Sequence, residues 1–249
     1  MTEPVIAAHR GLDEFAPENT ASAFISAFEL GMAVEFDVRQ TADGELVVMH
    51  DPTLDRTTNG VGLVEHATLS QIRSLDAGIW HDPRFAGASV PTLEELLVLA
   101  KAHGHAETTL VLETKVYGPD IPAQICRLLE RHALIDQTIG IGTIMVSAEV
   151  RERFLRANPD FPSSVVANDP SDLPAAVADP HASWVYARFV PSPSQVETAR
   201  DAGKRIIASG LGVMNIVEQA YASLIAGADA VISNHPVDLA AVWRDLRLI

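Results

Sequence analysis

Two histidines each follow a short apolar run, a position from which side chains do chemistry in sheets and barrels. His9 comes after Val5-Ile6-Ala7-Ala8, and His50 comes after Leu46-Val47-Val48-Met49. An apolar run of four or five residues is typical of a buried strand, and titratable residues at the carboxyl ends of strands form the sites of α/β sheets and barrels. Because imidazole titrates near neutral pH, one histidine can serve as general base and the other as general acid.

Carboxylates and a lysine occupy similar positions in two further runs. Glu35 and Asp37 are one residue apart in an apolar run, so on a strand both carboxylates point to one face. Glu113 and Lys115 follow the run 110–112 with the same spacing. If these strands are neighbours, three carboxylates, two imidazoles and a lysine converge at one end of the fold.

Strand-like runs alternate with helical patterns along the chain. The strand-like runs lie near Val5, Val34, Leu46, Leu110, Ile139–Val146, Val165, Val185, Ile206 and Ala230–Ile232. The helix candidates are Thr20–Leu30, Leu93–His103, Pro122–His132, Glu149–Ala157, Leu173–Val177, Pro193–Ala202 and Ile216–Ala226. A repeated β-then-α order predicts parallel strands with right-handed crossovers. About eight such units in a chain of this length favour an α/β fold, a closed (β/α)8 TIM barrel.

One stretch interrupts this rhythm. Residues 51–105 contain turn-rich segments, Thr57-Thr58-Asn59-Gly60 and Asp82-Pro83, which predict a small inserted subdomain with its first part on the catalytic face. No linker composition or low-complexity tract divides the chain. We therefore expect a single domain over residues 1–249 that carries this insertion.

Charge and composition narrow the class of protein. A formal net charge of −15 argues against nucleic acid or an anionic membrane surface as partner, since binding phosphates in bulk needs a basic surface. The single cysteine, Cys126, excludes an internal disulfide and fits a reducing compartment. With no leader segment before His9 and no apolar stretch near the ~20 residues of a membrane span, we expect a cytoplasmic protein without stable membrane insertion. The oligomeric state stays open.

Several short motifs together resemble one known family, the glycerophosphodiester phosphodiesterases. The motifs are Ala8-His9-Arg10-Gly11, Pro17-Glu18-Asn19-Thr20, Glu35-Phe36-Asp37-Val38, Thr41-Ala42-Asp43-Gly44, Val47-Val48-Met49-His50-Asp51, Leu54-Asp55-Arg56-Thr57-Thr58 and Pro91-Thr92-Leu93-Glu94-Glu95. The resemblance in order and spacing is dense over the first 115 residues and thin after them. It implies a barrel with a small subdomain between the second and third barrel strands, in agreement with the interruption.

At the matching positions, the carboxylates suit a divalent cation. Glu35, Asp37 and Glu113 offer hard oxygen ligands, which favour one Mg²⁺ or Ca²⁺ ion. Arg10 and Lys115 would complete a phosphate site, Arg10 by a fork of donors and Lys115 as a point charge. In the alternative interpretation the carboxylates are structural and pair with these two cations.

The resemblance implies an enzyme whose substrate is a small phosphodiester. The expected reaction is metal-dependent hydrolysis of a glycerophosphodiester to an alcohol and glycerol 3-phosphate, with His9 and His50 as the acid–base pair. Which histidine is the acid stays open, as does attack by water or by the substrate's own glycerol hydroxyl through a cyclic phosphate. Two alternatives are a phospholipase-D-like enzyme on lysolipids and a noncatalytic phosphoryl-ligand binding protein.

The second half of the chain departs from the family's pattern. At the seventh barrel strand, Ala208-Ser209-Gly210 stands where the family usually carries Trp, Thr and Asn, and residues 142–147 lack the usual Gln-Ser-Phe. We expect a wider leaving-group or glycerol pocket as a result, unless Trp80 or Trp184 fills the space.

Two polar residues beside these motifs have more than one interpretation. Asn19 precedes a helical run, and we expect it to cap that helix rather than to act in catalysis. Asp51 can orient the imidazole of His50 or cap the turn at Pro52, and the turn is favoured. Gly11 and Gly44 are expected to supply turn conformations.

Overall fold

Within residues 3–245, which the computed structural model describes, nine strands form one sheet. The strands are β1 Val5–Ala8, β2 Ala33–Gln40, β3 Leu46–Val48, β4 Leu110–Thr114, β5 Thr138–Ile141, β6 Ser164–Ala167, β7 Trp184–Ala187, β8 Arg205–Ala208 and β9 Ala230–Ser233. All except β3 are parallel, in the order β5-β4-β2-β1-β9-β8-β7-β6. A bridge between Gly140 and Ser163 links β5 to β6. The predicted (β/α)8 barrel is therefore confirmed, in a nearly closed form.

Helices connect the barrel strands. They are α1 Ala21–Glu29, α2 Leu69–Arg73, α3 Leu93–His103, α4 Ile121–Arg131, α5 Ala148–Ala157, α6 Leu173–Ala178, α7 Pro193–Asp201, α8 Leu211–Asn215, α9 Val217–Ile225 and α10 Pro236–Asp245. Each of the predicted helices is present, with both ends within one residue of the prediction. Helices α2, α8 and α10 are additional to the predicted ones. None of the helices in this part of the chain is long and apolar enough to cross a membrane.

Helix α3 shows how local sequence sets these bounds. The Thr92 hydroxyl accepts a hydrogen bond from the Glu95 backbone N–H, and the Glu95 carboxylate accepts one from Thr92 N–H. This capping box satisfies two N–H groups that a helix start leaves without partners. The side chains of Leu93, Leu96 and Leu97 are buried on one face of the helix. The helix thus packs against the barrel and returns the chain to β4.

Two strand-like runs behave differently from the simple βα rhythm. The run near Leu46 forms β3, which pairs antiparallel with β2 outside the barrel. The predicted strand over Ile139–Val146 is wrong in its second half, because β5 ends at Ile141. Gly142 then takes a φ of +120°, and residues 143–146 form a 3-10 helix. Only glycine adopts that backbone conformation readily.

The segment between β3 and α3, residues 49–91, is called the insertion below. Its buried apolar side chains form a small cluster of their own with Val47 of β3; within the insertion they are Met49, Leu54, Val64, Ile72, Ala77 and Val90. The chain enters and leaves it beside β3, where Val47 bridges to Thr92. The insertion therefore begins at Met49, directly past the end of β3, and His50 is its second residue.

Candidate active site

The three carboxylates meet where β2 and β4 end. The parallel register of these strands places Asp37 directly opposite Glu113, and Glu35 precedes Asp37 on the same face. One ligand oxygen from each carboxylate lies within 4.8 Å of the other two. Glu35 and Asp37 are fully buried, whereas Glu113 is half-buried. Phe36 points to the opposite face, where its ring packs edge-on against Phe24 of α1.

This cluster concentrates negative charge in a dry place. Burial, followed by the charges of Asp37 and Glu113, raises the pKa of Glu35 well above its ordinary value. Glu35 Oε2 accepts a hydrogen bond from the Arg10 backbone N–H at 3.0 Å. Glu35 Oε1 and Asp37 Oδ1 are buried and make no hydrogen bond within residues 3–245. Buried polar atoms are normally satisfied, so two buried carboxylate oxygens without a hydrogen bond in a three-carboxylate cluster fit a divalent cation.

Two basic side chains face the same carboxylates. Lys115 Nζ lies 2.7 Å from Glu113 Oε1 and 3.3 Å from Asp37 Oδ1. Arg10 Nε lies 3.4 Å from Asp37 Oδ2. Burial opposes the ionisation of Asp37, yet the charges of Lys115 and Arg10 lower its pKa. The structure thus brings together the five charged residues that the sequence analysis selects, in a geometry that also contains the ion pairs of the alternative interpretation.

The role of Asn19 differs from the expectation. Asn19 does not cap α1, whose N-cap is Thr20. Its backbone is left-handed, with a φ of +57°, and its Nδ2 donates to Asp37 Oδ2 at 2.9 Å. Asn19 therefore orients a carboxylate of the cluster. Asparagine is among the few residues that tolerate this backbone conformation, which was the available sequence signal.

His9 is held in one tautomer by a residue from the far end of the chain. Its Nδ1 donates to Asn234 Oδ1 at 2.6 Å, and the Asn234 amide is itself fixed because its Nδ2 donates to Asn215 Oδ1. Nε2 lies 3.9 Å from Glu35 Oε2. Burial, with the charge of Arg10, lowers the pKa of His9 to about 4. At neutral pH the ring is uncharged and Nε2 carries a lone pair beside the carboxylates.

His50 is oriented from two sides. Its Nδ1 donates to Asp51 Oδ1 at 2.7 Å, since a carboxylate can only accept. Its carbonyl oxygen accepts from Arg39 Nε and Nη2 at 2.8 and 2.6 Å. The favoured expectation that Asp51 serves the turn is therefore wrong, because its side chain orients the imidazole. Arg39 was missed, although it continues the alternation of Glu35 and Asp37.

We expect an open space at the end of β8, but an aromatic ring lies beside it. Trp184 is the first residue of β7, and the Arg205 guanidinium lies 4.1 Å from the centre of its ring. Trp184 is therefore at the end of the strand opposite to the candidate active site. Two residues further on, the buried Tyr186 donates its hydroxyl to Ser209 Oγ at 3.4 Å. Burial and the charge of Glu113 raise the pKa of this phenol. A ring from the neighbouring strand thus stands beside Ser209, where the sequence analysis expects none.

The packing of Ala208 and Trp80 shows that neither side chain enters that space. Ala208 belongs to a buried cluster with Val213, Ala220 and Leu224, so its side chain faces the helices and not the barrel interior. Trp80 lies in the insertion, where its Nε1 donates to the Ala77 carbonyl oxygen at 2.9 Å. Ser209 is also fully buried, so neither Ala208 nor Ser209 presents an exposed side chain at the end of β8.

Fold and site together define a (β/α)8-barrel protein equipped for acid–base chemistry on an anion. The family model described as Glycerophosphoryl diester phosphodiesterase family matches residues 9–238. The chain belongs to this family, as its short motifs indicate.

Relatives and solved structures agree with that assignment. Glycerophosphodiester phosphodiesterases of Caldanaerobacter subterraneus and Bacillus subtilis are 41% and 33% identical over 139 and 168 residues, which are 54% and 63% of this chain. These matches span 56% and 57% of the two relatives. A glycerophosphodiester phosphodiesterase structure from Agrobacterium tumefaciens has a TM-score of 0.79 and 33% identity, covering 97% of this chain and 100% of that one. A phosphodiesterase of Oleispira antarctica, solved with the product sn-glycerol-3-phosphate, has a TM-score of 0.83 and 25% identity over 96% of both chains.

Proposed function

We propose that this protein hydrolyses glycerophosphodiesters to an alcohol and glycerol 3-phosphate and that it needs a divalent cation. The observation that carries the proposal is the cluster of Glu35, Asp37 and Glu113, in which Glu35 Oε1 and Asp37 Oδ1 are buried without a hydrogen bond. The product bound to the Oleispira antarctica relative supports the substrate class.

The three carboxylates would hold one Mg²⁺ or Ca²⁺ ion. When bound, such an ion withdraws charge from a phosphoryl group and screens its negative charge. Glu35 Oε1 has no hydrogen-bond partner, and Asp37 Oδ1 has no hydrogen bond but lies 3.3 Å from Lys115 Nζ, so these two oxygens would act as ligands. Glu113 reaches the cluster from β4 and shares its charge with Lys115.

Arg10 and Lys115 would bind the phosphate. Both cations already face the acidic cluster, and an ion bound by the carboxylates would release them to contact the substrate's oxygens. The Arg10 guanidinium presents a planar fork to two oxygens, while the Lys115 ammonium contributes a compact charge. Because Arg10 Nη1 also donates to Glu18, the fork has a fixed direction.

We assign the base to His9 and the acid to His50. Burial keeps His9 neutral, so its Nε2 can take the proton of the nucleophile, whether water or the substrate's glycerol hydroxyl. His50 donates Nδ1–H to the Asp51 carboxylate, which leaves its Nε2 for the substrate. When protonated, the ring can give its Nε2 proton to the leaving alcohol.

A lysolipid substrate is the second candidate function. It is favoured by exposed apolar side chains on segments that follow barrel strands on the catalytic face. Phe15 follows β1, Tyr117 follows β4 and Leu211 follows β8, with exposed fractions of 59%, 63% and 75%. An acyl chain could lie on such side chains while the phosphate occupies the carboxylate and cation site.

One substrate panel separates these functions. The protein is stripped with EDTA and assayed with Mg²⁺ or Ca²⁺ on glycerophosphocholine, glycerophosphoethanolamine and a lysolipid, with glycerol 3-phosphate and lysophosphatidate as measured products. We expect release of glycerol 3-phosphate only when the cation is present. Undiminished release in EDTA would contradict the metal requirement. Binding of diesters without turnover would show a noncatalytic phosphoryl-ligand binding protein, and turnover of the lysolipid alone would show the second candidate.

A further inference from the structure

Arg56 joins the insertion to the barrel through two carboxylates. Its Nε and Nη2 donate to Asp51 Oδ2 and Oδ1 at 2.7 and 3.0 Å. Its Nη1 and Nη2 donate to Glu18 Oε2 and Oε1 at 2.6 and 2.8 Å. A guanidinium that is bidentate to both partners fixes the plane of each carboxylate as well as its position. Arg56 thus ties the loop after β1 to the segment that follows β3.

Each of the two carboxylates also accepts a hydrogen bond from a residue of the candidate active site. Asp51 Oδ1 accepts from His50 Nδ1, and Glu18 Oε1 accepts from Arg10 Nη1 at 2.9 Å. Only 9% of the Glu18 side chain is exposed, so its contacts are screened little by water. The result is one continuous series of contacts from the imidazole of His50 to the guanidinium of Arg10.

We propose that Arg56 is a positioning residue for His50. It acts through Asp51, while Glu18 anchors it to the barrel. The proposal rests on the proposed proton-transfer role of His50. With both oxygens of Asp51 held, the imidazole satisfies the carboxylate only through an Nδ1–H at a fixed ring angle, and Nε2 is left for the substrate.

Two features separate this role from simple stabilisation. The Arg56 side chain is 42% exposed, and exposed ion pairs contribute little to the free energy of unfolding. Arg56 also makes no hydrogen bond to His50 itself, so its effect on the ring must pass through the orientation of Asp51. Loss of Arg56 should therefore change turnover much more than stability.

The test compares three variants. Arg56→Ala removes the fork, and Arg56→Lys keeps a charge but cannot be bidentate to two carboxylates. Arg73→Ala is the matched control, since Arg73 also lies in the insertion and pairs with a single exposed carboxylate, Glu95, at 2.6 Å. The measurements are kcat and KM on glycerophosphocholine with saturating cation, thermal unfolding, and ¹⁵N spectra of the histidine rings, with the signals of His50 assigned from His50→Gln.

We expect Arg56→Ala to lower kcat by roughly 10- to 100-fold with KM nearly unchanged. Arg56→Lys should fall between it and the wild type, and Arg73→Ala should match the wild type. Guanidinium ions added to Arg56→Ala should restore part of the lost kcat. In the ¹⁵N spectra, the defined Nδ1–H tautomer of His50 should give way to a mixture.

Other results would overturn the proposal. A rise in KM at constant kcat would make Arg56 a substrate ligand, and an unchanged kcat with an unchanged His50 tautomer would make it structural. If the wild type hydrolyses no diester, the proposed function fails, and the ¹⁵N spectra still decide the positioning role. A His50 tautomer that persists in Arg56→Ala then contradicts it, and a tautomer that is lost supports it.

Discussion

Replacing Gly142 with alanine should weaken cation binding through Glu113. Gly142 follows β5 with a φ of +120°. A Cβ built there would lie 2.8 Å from Glu113 Cγ and 3.3 Å from Oε1, whereas ordinary contacts begin near 3.4 Å. The Glu113 side chain must therefore move by about 0.6 Å, because non-bonded carbons repel steeply below contact distance.

That displacement is large for a metal ligand. Metal–oxygen distances in well-formed sites hold to within about 0.2 Å, so a carboxylate moved three times as far loses its place in the coordination shell. Changes to groups that orient ligands typically cost roughly 10- to 100-fold in metal affinity, and we expect a loss in that range. Alanine at this φ also carries backbone strain of about 1–3 kcal/mol, which lowers the free energy of unfolding.

A second glycine separates the strain from the collision. Gly62 has a φ of +101° with no atom within 4 Å of its built Cβ, so Gly62→Ala carries backbone strain alone. The assays are chemical unfolding in EDTA and titration of the stripped protein with Mg²⁺ or Ca²⁺. Both variants should lose stability, and only Gly142→Ala should lose cation affinity. Equal affinities in the two variants would refute the reasoning.

Three further predictions concern the cluster and the imidazoles. Glu35→Ala should abolish most activity and cation binding, as judged by calorimetric titration, while Glu65→Ala on the surface of the insertion should do neither. His9→Ala and His50→Ala should each lower kcat by at least ~10²-fold, and the double variant by far less than the product of the two, whereas a multiplicative loss would indicate independent roles. The pKa of His9 is lowered to about 4 by burial and Arg10, so unfolding takes up a proton between pH 6.5 and 4. The free energy of unfolding of the EDTA-treated wild type should therefore fall relative to His9→Gln by up to about 3 kcal/mol as pH drops through that window, and a difference that stays flat would contradict this pKa.

The site residues that can be predicted from the sequence are those with a characteristic spacing along a strand. Glu35 with Asp37, and Glu113 with Lys115, show as pairs because a strand alternates its side chains with a period of two. Local patterns also predict the barrel, since strand-like runs alternate with helical patterns along the chain. Arg39 obeys this spacing as well and could have been included.

The part that sequence reasoning misses depends on contacts between distant segments. No local pattern shows that Asn234 hydrogen-bonds to His9, or that the hydroxyl of Tyr186 hydrogen-bonds to Ser209 from the next strand. The wrong interpretation of Asn19 has a related cause. Its position before a helix matches a cap, but its left-handed backbone turns the side chain toward Asp37 instead.

The pairing of β1 with β9 also bears on how the site comes into being during synthesis. These strands register from Val5 with Ala230 to Ala8 with Ser233, and Asn234 follows directly. A ribosome has produced the carboxylates, both histidines and both cations by the time Lys115 emerges, yet Nδ1 of His9 has no Asn234 to bind until β9 docks. About half of the chain must therefore be synthesised after Lys115 before the ring of His9 gains its hydrogen-bond partner. Completion of the barrel is what orders the ring of His9, so a chain released early carries the residues of the first half without that hydrogen bond.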